Sequence, residues 1–178
     1  VTGAPEPGAP RTSRDPGLPL PAREGEEVVF ERTIPARTDR LSTRTRERIR
    51  ALDVLFEADA RELSALEVLD ERLVRTAAQS PLPPRARQLV ELYARHVDEI
   101  DEQLATHSRD WPLRRMPAVD RAVLRLGSAE VLYEAEDSVR GMIIGEYTKI
   151  AEELSGEESP RFVNGLLQRL VDVRGLLS

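Results

Sequence analysis

Leu113-Arg-Arg-Met-Pro-Ala-Val-Asp-Arg-Ala-Val-Leu-Arg-Leu126 is the stretch that decides the fold. After Pro117, the apolar residues Val119, Ala122, Val123 and Leu126 step by three and four, and Ala129 and Tyr133 continue the series. That spacing puts them on one face of an α-helix, because each residue turns the chain by about 100°. The same period runs outward in both directions. Upstream, Ile49, Leu52, Leu55, Phe56 and Leu63 make one helix face, with Phe56 read as core. Ser64 and Glu67 form a capping-box pattern ahead of Leu66, Leu69 and Leu73. Pro81, Pro83 and Pro84 break the chain, and Leu89, Leu92, Tyr93, His96, Ile100 and Leu104 then form one long stripe.

Downstream, Val139, Met142, Ile143, Tyr147, Ile150, Ala151 and Leu154 form another face. Ser159 reads as an N-cap with Pro160 at the first helical position, followed by Phe162, Val163, Leu166, Leu167, Leu170 and Val171. No segment alternates with period two, and no longer repeat is apparent. The sequence predicts an all-α domain of six to seven helices.

Composition divides the chain near residue 40. Seven of the thirteen prolines and four glycines fall in residues 1–40. Proline fixes φ and removes a donor, so a disordered Pro/Gly-rich extension is expected over residues 1–42, with a helical domain over 43–178. Val28-Val29-Phe30 is its one apolar segment. The chain has 178 residues, a net charge of −6 and no cysteine, which excludes disulfide scaffolds, zinc–thiolate sites and thiol nucleophiles. No apolar run approaches the roughly 20 residues of a membrane span. The expected setting is cytoplasmic, with no membrane partner.

Catalytic signals are missing. His96 and His107 lie some three turns apart on a continuous helix, too far to share a metal, and His96 reads as an interior histidine. There is no HExxH, glycine-rich phosphate loop or GxSxG. Neither a cofactor, a metal nor an enzymatic activity is expected. The local anomaly is basic: Arg32, Arg37, Arg40, Arg44, Arg46, Arg48 and Arg50 stand against Asp39 and Glu47. Such a run is either a solvated surface or a salt-sensitive contact with phosphates, and arginine also stacks on unpaired bases.

Three stretches carry a family resemblance. They are Arg48-Ile-Arg50-Ala-Leu-Asp-Val-Leu-Phe-Glu-Ala58, the segment Leu113–Leu126, and Glu157-Glu-Ser-Pro-Arg-Phe-Val-Asn-Gly-Leu-Leu167. Together they resemble the NusB transcription antitermination family over about residues 43 to 175. The third stretch is the most specific. The resemblance implies two packed helical subdomains with no catalytic site. It implies binding to single-stranded boxA RNA as a heterodimer with NusE, a ribosomal small-subunit protein. It also implies a place in the RNA polymerase antitermination complex on ribosomal RNA operons.

Carried over by the resemblance, the RNA contacts are Arg44, Arg46, Arg48 and Arg50 at the first helix, and Glu158, Ser159, Arg161 and Phe162 at the last. Phe162 either stacks on a base or belongs to the core beside Val163 and Leu166. Asn164 is expected to tie helix ends, and Gly165 to permit close helix approach. The chain departs from the family run in its penultimate helix, with Gly145, Tyr147 and Glu152 at unusual positions, and Asp53 is a further departure. These residues leave open an alternative, a helical module that binds NusE or another protein without strong RNA recognition. A third possibility, the domain preceding a ribosomal-RNA cytosine methyltransferase, requires a nucleotide fold and cysteines that these residues lack. The oligomeric state stays open between monomer and homodimer.

Overall fold

Ser42 starts the first helix. Its hydroxyl oxygen accepts from the Thr45 N–H at 3.1 Å, satisfying one of the donors that a helix start leaves orphaned. The helix, α1 (Thr43–Arg61), ends at Glu62, whose φ of 55° is left-handed. The Leu63 N–H returns to the Ala58 carbonyl at 2.9 Å, closing a C-cap. The capping box read from the sequence forms: the Ser64 N–H donates to Glu67 Oε2 and the Glu67 N–H to Ser64 Oγ. It opens α2 (Ala65–Arg75). Then come α3 (Pro84–Arg95), α4 (Val97–His107), a 3₁₀ turn (Leu113–Arg115), α5 (Ala118–Tyr133), α6 (Asp137–Leu154) and α7 (Ser159–Leu177). The computed structural model describes residues 41–75, 81–109 and 111–177. The extension read over 1–42, Val28-Val29-Phe30 included, lies outside the described residues except for Leu41 and Ser42.

The architecture is all-α, with seven α-helices and no strand among the described residues. One subdomain packs α1, α2 and α3 together; the other packs α4, α6 and α7. Helix α5 is common to both and touches every one of these except α2 closely. A helix surrounded by others must be apolar nearly all round. Residues Ala122, Val123, Leu124, Leu126, Gly127, Ser128, Ala129, Val131 and Leu132 are accordingly all buried. At Gly127 side chains of α6 and α7 press close against α5: a Cβ there would lie 2.9 Å from Leu167 Cδ1 and 3.3 Å from Tyr147 Cγ.

Several expectations are corrected. The stripe from Leu89 to Leu104 is two helices, because His96 leaves helical geometry at φ −124° and its ring instead stacks on Tyr133, with centroids 3.7 Å apart. His96 is therefore half-buried rather than interior. Phe56 is 40% exposed, since Ala51, Leu52, Val54, Leu55 and Ala58 already fill the inner face of α1 and residue 56 turns past its edge. Leu66 and Met142 likewise lie outside the core. Helix α7 includes Ser159, whose hydroxyl donates to Asp120 Oδ2 at 2.8 Å and also meets Ser155 Oγ at 3.1 Å.

Candidate nucleic-acid interface

The start of α1 divides its residues by angle. Thr45 and Arg48, three apart, both face inward; Arg44 and Arg46 are exposed, and Arg50 is half-buried. Arg48, expected on the surface, is 7% exposed. Its Nε and Nη2 donate to Glu130 Oε2 and Oε1 of α5 at 2.9 and 2.6 Å, a two-pronged pair. The Tyr147 hydroxyl of α6 donates to Glu130 Oε2 at 2.8 Å, and Arg85 of α3 donates to Oε1 at 3.1 Å. Burial pushes the Glu130 carboxyl upward, but the Arg48 fork, Tyr147 and Arg85 hold it below the usual range. Burial pushes the Tyr147 hydroxyl well up, so it stays a donor. One turn earlier, Thr45 Oγ1 donates to Glu146 of α6.

The start of α7 builds a second surface. Phe162 is half-buried and tilts onto Trp111, with ring centroids 4.8 Å apart. The two rings sit in a groove of about 450 Å³ shared with His107, Glu158, Arg161 and Arg169. Arg169 donates to the His107 carbonyl at 3.1 Å, and Arg161 and Glu158 are exposed. Ser159 is buried on Asp120, so it supports this surface from behind. Phe162 thus combines both readings: its ring lies against other side chains and borders an open groove. The groove can hold a flat apolar body between rings and guanidinium groups.

Helix α6 joins the two regions. Glu146 receives Thr45 from α1, Lys149 donates to Glu146 at 3.2 Å, and Thr148 accepts from Asn164 Nδ2 of α7 at 3.2 Å. Asn164 therefore ties α7 to the interior of α6 rather than tying helix ends. Gly165 does not mediate close approach: a Cβ there would meet nothing within 4 Å. Sequence reasoning missed Trp111 as a partner of Phe162 and missed Glu130 altogether. A tryptophan beside Pro112 was the available signal for the first; the second, 82 residues from Arg48, left none.

Further ion pairs tie helices of the bundle together. Asp59 of α1 pairs with Arg121 and Arg125 of α5, and Arg125 also reaches Asp101 of α4 at 2.7 Å. Among the described residues no three His, Cys, Asp or Glu side chains gather to hold a metal, and no helix is long and apolar enough to cross a membrane.

A helical scaffold that presents guanidinium groups and a ring-lined groove defines a binding module. The comparisons are more specific: residues 45–172 match the NusB family, and the chain belongs to it. It is 49% identical over 138 residues to the transcription antitermination protein NusB of Kineococcus radiotolerans, covering 78% of this chain and 99% of that protein. Among solved structures it resembles the solution structure of NusB from Aquifex aeolicus (TM-score 0.63, 26% identity, 78% of this chain and 93% of that one). It also resembles a crystal structure of antitermination factors NusB and NusE in complex with dsRNA (TM-score 0.60, 26% identity, 74% of this chain and 99% of that one).

Proposed function

We propose that this chain is a transcription antitermination factor that binds boxA-type single-stranded RNA together with NusE in the cytoplasm, and so supports processive transcription of ribosomal RNA operons. It acts by contact within the RNA polymerase antitermination complex and performs no covalent chemistry. The observation that carries this reading is the 49% identity to a NusB protein across 99% of its length. The likeness to a chain solved with NusE and dsRNA supports NusE and RNA as partners, and the preference for a single strand rests on the family resemblance.

The proposed RNA contacts are Arg44, Arg46 and Arg50 on α1, and Glu158, Arg161 and Phe162 at α7, with Trp111 added. Arginine heads on a helix start neutralise phosphates, and each neutralised phosphate releases counterions. The start of α7 adds the positive end of its dipole, and the ring pair offers a stacking platform. Arg48 and Ser159 stand behind this surface.

An RNA shift assay on the full chain, titrated with salt, with and without NusE, tests the proposal. Affinity is expected to fall steeply with salt. Arg44→Ala and Arg46→Ala are each expected to reduce the slope of log K against log salt by about 0.7, the single-strand value per phosphate. Absence of a shift at low salt with NusE present sinks the RNA reading. NusE capture without any shift favours the protein-binding module instead.

A further inference from the structure

Arg48 lies in the basic run, yet it is buried and its guanidinium is held by a carboxylate that is itself 2% exposed, at the floor of a groove also lined by Arg44 and Arg85. Four elements meet at that carboxylate: Arg48 from α1, Arg85 from α3, Glu130 from α5 and Tyr147 from α6. Replacing a buried ion pair by apolar side chains of similar size is often neutral or stabilising. Stability is thus a weak reason for such a hub. A fork that mates with one carboxylate does, however, reject every other rotation of α1 about its axis, because each residue of slip swings a side chain by about 100°. The Thr45–Glu146 bond, three residues away on the same face, fixes the same angle a second time. Arg44 and Arg46, on either side of Thr45, are both exposed.

We propose that Arg48, Glu130 and Tyr147 act as positioning residues. They set the rotation of α1 so that Arg44 and Arg46 face the RNA, and Arg48 itself touches no phosphate. The inference rests on the RNA-binding reading above. It departs from the first expectation, which placed Arg48 among the contacts.

The salt dependence of RNA binding separates the roles, because its slope counts neutralised phosphates and its intercept does not. The full chain, with NusE and boxA RNA, is compared with Tyr147→Phe and Arg48→Gln, each checked for folding by circular dichroism. Tyr147→Phe deletes one fully buried oxygen and keeps the ring, so it remains folded even if Arg48→Gln does not. Both are expected to weaken RNA binding roughly three- to tenfold, the scale of losing one preorganised contact, and Arg48→Gln is expected to leave the slope unchanged in a chain whose Arg44 and Arg46 are already Ala. A further drop in slope of about 0.7 when Arg48→Gln is added to the Arg44→Ala, Arg46→Ala chain overturns the proposal, since it makes Arg48 a phosphate contact. Folded Tyr147→Phe with wild-type affinity overturns it too, since the hub is then structural only. A wild-type chain that binds no RNA removes the functional reading itself and this one with it.

Discussion

Gly127 and Gly145 occupy helix interiors under opposite constraints. At Gly127 the α5 backbone meets Leu167 and the Tyr147 ring, and a methyl group has no room. Gly127→Ala is expected to destabilise the fold by about 1–3 kcal/mol, the range for overpacking a filled core. At Gly145 an added Cβ meets nothing within 4 Å. Gly145→Ala is expected to stabilise by about 0.5–1 kcal/mol through reduced unfolded-state freedom and better helix propensity. Denaturant melts of the two variants check both signs, and equal effects would show that the α5–α7 contact is not the constraint. Arg48 illustrates what a residue-level reading loses. It lies four and seven positions before Leu52 and Leu55, so helical spacing already placed it on the apolar face. Its charge suggested the surface. Only the distant Glu130 reconciles the two.

At the scale of elements, α1 does two jobs on two faces. Its inner face carries Ala51, Leu52, Val54, Leu55 and Ala58 into the core, and its inward polar residues lock onto α5 and α6. Arg48→Ala is expected to cost about 3–5 kcal/mol, because the Glu130 carboxylate stays buried with its principal partner gone. A chemical melt measures this, and a loss below about 1 kcal/mol would mean that Arg85 and Tyr147 suffice. The helices themselves were legible from apolar period, the capping box at Ser64 and the prolines before α3. The break at His96 was not. The apolar spacing runs through it unchanged, and its stacking partner Tyr133 lies on α5.

For the whole molecule, ion pairs stitch the helices across one another, and this sets its response to acid. Burial raises Glu57, Asp59 and Glu130, but their arginine partners outweigh it and hold all three below the ordinary carboxylate range. The Thr45 hydrogen bond and Lys149 hold Glu146 low as well. A carboxyl whose folded value is depressed adds stability above its unfolded value and loses it as the pH falls through the folded one. The unfolded values are near 4.5 for Glu and 3.8 for Asp. Thermal stability is therefore expected to hold from neutrality down to about pH 5 and to drop progressively below about 4.5. A melting temperature that stays flat to pH 3 contradicts this. The two-subdomain plan was legible only through the family resemblance, because periodicity gives helices and not their neighbours.

Trp111 is the chain's one tryptophan, and it lies in the groove beside Phe162. Its emission is thus a built-in optical probe of that spot, needing no dye and no tag. A nucleobase sliding against the indole quenches it by stacking, so titrating unlabelled boxA oligonucleotide is expected to dim the signal in parallel with the gel shift. Undiminished light at saturating oligonucleotide would place the bases elsewhere.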